Sequence, residues 1–119
     1  MSLSSLQRAA RLGCWAIALV VVAASLIPGE WRQHTPFPGT LEHFGAYGAL
    51  GFVLQLGYGE RLPRGTFPVL LVGVAAVLEL AQVYIPERHA AFMDFLASSS
   101  GALTGIGFAM LAARWASAR

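Results

Sequence analysis

No lysine occurs among the 119 residues, cysteine occurs once, and only 12% of the chain is charged. Each shortage excludes something. A Gly-rich phosphate loop that ends in lysine is absent, and so is a Gly-x-Ser-x-Gly elbow. The lone Cys14 can form neither an intramolecular disulfide nor a thiolate metal pair. Within its apolar run it reads as a small buried hydrophobe. Soluble domains carry about 25% charged residues, so this chain has too few to cover a water-facing surface. The net charge of +2 rests on eight arginines scattered at segment ends. They form no stripe, so no nucleic-acid partner is expected. What remains is apolar: 56% hydrophobic residues and a mean hydropathy of +0.61. The expected solvent is a bilayer.

Four continuous apolar segments divide the chain, at about residues 9–27, 41–58, 66–85 and 91–113. They are rich in Ala, Leu and Gly, do not alternate, and exceed strand length, which favours helices. At ~1.5 Å per residue the second and third segments reach roughly 27 and 30 Å, the thickness of the hydrocarbon layer. Pro28-Gly29, Pro63 and Pro86 punctuate the runs. In the first loop, Trp31 and Phe37 are expected at the lipid headgroups. Arg8 and Arg11 ahead of the first run give it the outline of a signal peptide, but its apolar stretch exceeds the usual ~7–15 residues; a retained helix is expected. The predicted fold is therefore all-α: one polytopic domain over residues 1–119, four transmembrane helices in a small antiparallel bundle. Six arginines (8, 11, 61, 64, 114, 119) fall on one side of this threading and two (32, 88) on the other. The positive-inside rule then places both termini in the cytoplasm.

Small residues mark the packing faces. Ala97, Gly101, Gly105, Ala109 and Ala113 recur every four residues in the last segment, and Gly45, Gly48 and Gly51 every three in the second. In lipid, helices associate through close backbone approach at such stripes. The last-segment ridge serves either packing inside one bundle or a homodimer.

The same threading collects polar side chains at the outer ends of the helices: His43 and Tyr47 one turn apart, Glu79 and Gln82 on one face, Arg88 in the third loop, and Asp94 with Ser98. Glu79 lies roughly 9 Å below its helix end. A carboxylate at that depth is protonated or paired, with Arg88 or His43 as partner. Glu30, Arg32, His34, Glu60, Arg61, Arg64 and His89 read as loop residues. His43, Glu79 and Asp94 form a conceivable carboxylate-imidazole metal set. Without His-x-x-x-His, a Cys pair or Glu-x-x-His, no metal and no cofactor is expected. The cluster is either polar glue between helices or a site open to the outer leaflet.

The order Glu79-x-x-Gln82, Pro86-x-Arg88, Asp94, Gly101 and Gly105, with His43-x-x-x-Tyr47 and Leu50-Gly51 before it, resembles the VanZ-like membrane proteins over residues 41–105. Two positions differ from that pattern: Gly39-Thr40 stand where an Asp-Lys pair is frequent, and Ser98 where asparagine is common. The resemblance implies a small multi-pass protein of the bacterial cytoplasmic membrane. The family's namesake is linked to low-level resistance to the glycopeptide teicoplanin. The expected function is non-enzymatic binding of an amphiphilic ligand, a lipid headgroup or a glycopeptide by His43, Tyr47, Glu79, Gln82, Arg88 and Asp94, with membrane lipid or a lipid-linked precursor as partner. One alternative is an intramembrane enzyme on a lipid-linked or cell-wall substrate, with Glu79 or His43 as base. Another is a proton-coupled exporter. Against the exporter, the first segment carries no acid.

Overall fold

Four helices arise where the apolar runs end at proline, glycine and charge. The computed structural model describes residues 2–28, 36–88 and 90–118. The expectations for Glu30, Trp31, Arg32, His34, His89 and Arg119 fall outside them. Helix α1 spans Leu3–Leu26, α2 Gly39–Tyr58, α3 Thr66–Ala81 and α4 Phe92–Ser117; short 3-10 turns follow α2 (Gly59–Arg61) and α3 (Gln82–Tyr84). No strand occurs among the described residues.

The helix limits differ from the sequence expectation in ways that have local causes. Helix α1 starts six residues before the expected 9, because the Ser2 hydroxyl accepts the Ser5 N–H at 3.2 Å and caps the first turn. Arg8 and Arg11 therefore lie inside the helix. Arg11 stays there at little cost: its Nε donates to the Gly57 carbonyl at 2.6 Å, and its guanidinium rests 5.5 Å from the Tyr58 ring centre. Helix α3 tightens into its 3-10 turn four residues before Pro86, since proline disfavours α geometry at the residue before it. In the turn after it, Arg88 N–H bonds the Ile85 carbonyl and Glu87 sits at φ 63°, a left-handed position next to Pro86. Helix α4 runs past the expected 113 to Ser117.

Helix α1, residues Thr66–Tyr84 and α4 are each long and apolar enough to cross a membrane. Only 17%, 28% and 33% of their most apolar stretches are buried within the chain. Most of that surface, including Leu12, Leu19, Val69, Val77 and Phe108, points outward, as lipid-facing helices require and water-facing ones do not. Helix α2 is not among the three, so three of the four expected spans are met by length and composition. Glu42, His43, Gln55 and five glycines lower its hydropathy.

That same helix has neighbours on several sides. It packs chiefly against α4 and next against α1, while α3 leans on α4. The tightest pair, α2 and α4, is thus not consecutive in the chain, and α2 touches α3 only lightly. A β-carbon on Gly101 or Gly105 would run into the Phe44 or Gly48 carbonyl, and one on Gly51 would lie 2.6 Å from the Ala102 carbonyl oxygen. Phe44 beside Gly101 and Gly48 beside Gly105 also show that α2 and α4 run parallel. The ridge of α4 is thereby used inside the chain. Gly45 departs from its expected packing role: a β-carbon there meets nothing within 4 Å. Ala97 is half-buried. The main core joins Val21, Tyr47, Leu50, Phe67, Leu71, Ala75, Leu78, Ala102 and Ile106 from all four helices, and a smaller one joins Ala10, Leu56 and Ala109. Cys14 is buried and donates its thiol to the Arg11 carbonyl at 3.1 Å.

Candidate functional site

His43 stands in the second turn of α2, where its Nδ1 lies 2.7 Å from the carbonyl oxygen of Gly39, four residues back. A carbonyl only accepts, so Nδ1 carries the hydrogen and, in the neutral ring, Nε2 keeps a lone pair. Glu79 stands near the end of α3, and its Oε2 accepts the N–H of Ala91 at 2.6 Å. Ala91 is the cap residue of α4, which has no side-chain cap of its own. The Glu79 carboxylate thus takes over an N–H that the helix start leaves unpaired, and it sits where the helix dipole favours negative charge. Asp94 occupies the first turn of α4, with its own N–H bonded to the Ala91 carbonyl. One ring nitrogen of His43 and one carboxylate oxygen each of Glu79 and Asp94 lie within 4.8 Å of one another, all three side chains half-buried. Tyr47 is buried one turn below His43, within electrostatic range of Glu79.

Gln82 and Arg88 are directed elsewhere, to the end of α1. Gln82 is buried, and its Nε2 donates to the Ser25 carbonyl at 3.2 Å. The Arg88 Nε donates to the Ile27 carbonyl at 3.2 Å, and its Nη2 to the Ala24 carbonyl. A cation that bonds the last carbonyls of a helix satisfies orphan acceptors and meets the negative end of the dipole. Of the two partners open to Glu79 on sequence, Arg88 is therefore drawn to α1, and His43 is the one beside it.

Between the C-terminal end of α1 and the N-terminal end of α2 lies a cavity of about 590 Å³. Val20, Val21, Leu41 and Ala46 supply apolar wall, and His43, Tyr47, Gln82 and Arg88 line its polar part. Gly45 faces this space, which explains why a β-carbon there would meet nothing within 4 Å. Glu79 borders a second cavity of about 300 Å³ between α3 and the start of α4, walled by Ala76, Leu80, Phe92 and Phe95. The six expected site residues are at one end of the bundle, divided between the acid-imidazole trio with Tyr47 and the Gln82–Arg88 pair.

Sequence reading missed the backbone partners: the carbonyls of Ala24, Ser25, Ile27 and Gly39, and the N–H of Ala91. A signal for some of them exists. A helix stopped by Pro28 leaves its last carbonyls without intrahelical donors, so a nearby arginine or glutamine is called for.

No family model, curated protein or solved structure matches the chain.

Proposed function

We propose that this is a multi-pass membrane protein of VanZ-like type that binds an amphiphilic molecule at the outer leaflet of a bacterial cytoplasmic membrane. The observation that carries the reading is the 590 Å³ cavity, whose walls are largely apolar and whose polar part gathers His43, Gln82 and Arg88 together with Glu42. Ligand sites combine just these features, a mostly apolar lining and a few oriented polar groups. An acyl chain or apolar ring suits the wall of α1 and α2. A phosphate or carboxylate suits the planar guanidinium of Arg88, and hydroxyl or amide groups suit His43 and Gln82.

Four crossings with both termini in the cytoplasm belong to the same proposal. Helix α2 lies along α4 from Phe44–Gly101 to Leu56–Ala109. A helix that runs beside a spanning helix over most of its length spans with it. Its lower hydropathy is tolerable because α1 and α4 shield it from lipid. The arginine distribution supports the orientation. It puts the cavity on the outer side, where lipid-linked envelope precursors and glycopeptides are met. In that setting the namesake's link to teicoplanin resistance fits a protein that holds envelope amphiphiles.

Mass spectrometry of molecules retained by gently solubilised protein tests the reading. Wild type should carry a co-purified lipid or lipid-linked species. Ala46→Phe, which fills the cavity, and Arg88→Gln, which removes its cation, should each lower the retained amount at least fivefold. Equal retention in both variants, or none in wild type, would overturn it.

A further inference from the structure

The trio of His43, Glu79 and Asp94 asks for a second explanation, because binding of an amphiphile uses only one of its members. Glu79 and Asp94 are acids from different helices whose oxygens lie within 4.8 Å of each other and of a His43 nitrogen. Among the described residues no arginine is bonded to either carboxylate, and the chain has no lysine. Two carboxylates and an imidazole held this near, partly out of water, offer three donor atoms to one cation. We propose that His43, Glu79 and Asp94 form a three-ligand site for a divalent first-row transition metal, with Zn²⁺ the best fit.

Three features of the site support it. The first is distance. Three points no more than 4.8 Å apart share a centre within about 2.8 Å of each, so inward turns of well under 1 Å reach the roughly 2.0–2.2 Å of zinc–nitrogen and zinc–oxygen bonds. The second is orientation. Metal-binding histidines usually give their other ring N–H to a carbonyl or carboxylate, which fixes the tautomer. His43 has this arrangement through Nδ1 and the Gly39 carbonyl. Glu79 is held likewise, its Oε2 taking the Ala91 N–H. The third is donor chemistry. One imidazole with two carboxylates suits zinc, manganese or iron, whereas magnesium and calcium take oxygen ligands alone. The absence of any sequence motif for it is also explained. The ligands come one each from α2, α3 and α4, so no short spacing in the chain connects them. With three protein donors a four-coordinate ion keeps one position for water or another ligand.

The test needs no amphiphile and no activity. Tag-free protein in detergent, stripped with chelator, is titrated with Zn²⁺ by calorimetry and with Co²⁺ by visible absorption. One equivalent per chain should bind at micromolar affinity or tighter, and Co²⁺ should give d–d bands in the visible. His43→Gln, Glu79→Gln and Asp94→Asn should each weaken binding at least tenfold at unchanged helicity. Glu79→Gln keeps an acceptor for the Ala91 N–H. Glu60→Gln, an exposed turn residue at the far end, should bind as wild type. Absence of binding by wild type overturns the proposal, as does binding of equal strength in His43→Gln and Asp94→Asn. Arg88→Gln separates this from the amphiphile reading: it should lose retained lipid and keep the metal.

Discussion

Two faces of α2 follow opposite rules. From Phe44 to Phe52 one face lies backbone to backbone on α4, so close that Gly51, Gly101 and Gly105 leave no room for a β-carbon and Gly48 leaves little. Another face of the same turns directs Gly45, Ala46 and His43 toward open space and toward polar groups of other helices. The seam is a solution to association in lipid, where only close packing holds helices together. The open face gives up that packing for a cavity and for charged groups, which cost stability unless they are paired. What the contrast teaches is a division of labour within one helix: the tight face fixes the position of the open face.

The strongest way to break this comparison is to fill the seam. Gly105→Leu sets a branched side chain against the Gly48 carbonyl and the Phe52 N–H. Neither is a flexible side chain that can move aside, so the helices must separate. Overpacking typically costs about 1–3 kcal/mol and occasionally more; here the upper end or beyond is expected, about 3 kcal/mol. Thermal unfolding in detergent micelles, followed by circular dichroism, should show a lower midpoint or no folded protein. An unchanged midpoint would mean that α4 does not lie on α2 in this way.

A smaller loss is expected beside the open face. Arg88→Gln removes a charged donor from the Ala24 and Ile27 carbonyls at the end of α1. Hydrogen bonds to charged groups contribute about 1.5–3 kcal/mol. Arg88 is half-exposed, so about 1–2 kcal/mol is the expected cost by unfolding titration. Arg88→Lys should recover only part, because an ammonium lacks the planar fork that reaches two carbonyls. Full stability in Arg88→Gln would show that α1 needs no cap from the third loop.

Legibility from sequence follows the same division. The four helices are readable because continuous apolar runs and prolines are local signals, and the small residues at Gly48, Gly51, Gly101 and Gly105 announce a seam. Gly45 misleads for a geometric reason: at 100° per residue it stands about 120° around the helix from Gly51. Ala102, fully buried against Gly51, lies off the four-residue ridge and leaves no pattern. The helix ends carrying His43, Glu79 and Asp94 could be placed by threading alone. Their mutual distance could not, because it depends on α4 rather than α3 lying beside α2. The target of Arg88 depends on where α1 stops, and backbone acceptors such as the Ala24 carbonyl have no signature in side-chain sequence.

The finest discrimination compares two glycines of α2 only six residues apart. An alanine β-carbon at position 45 meets nothing within 4 Å, whereas at position 51 it falls 2.6 Å from the Ala102 carbonyl oxygen and 3.3 Å from the Ala102 α-carbon. Glycine within a helix costs roughly 0.5–1 kcal/mol relative to alanine through backbone entropy. Gly45→Ala gains that amount with no contact to offset it, and should raise the unfolding midpoint slightly. Gly51→Ala gains the same entropy but must push α4 away, and should lower the midpoint, with a net loss of about 1 kcal/mol or more. The signs matter more than the sizes. Opposite shifts would separate the seam face, which carries Gly51, from the open face, which carries Gly45. Two losses would mean that α2 meets a neighbour at Gly45 as well, and that the cavity beside His43 is closed in the folded protein.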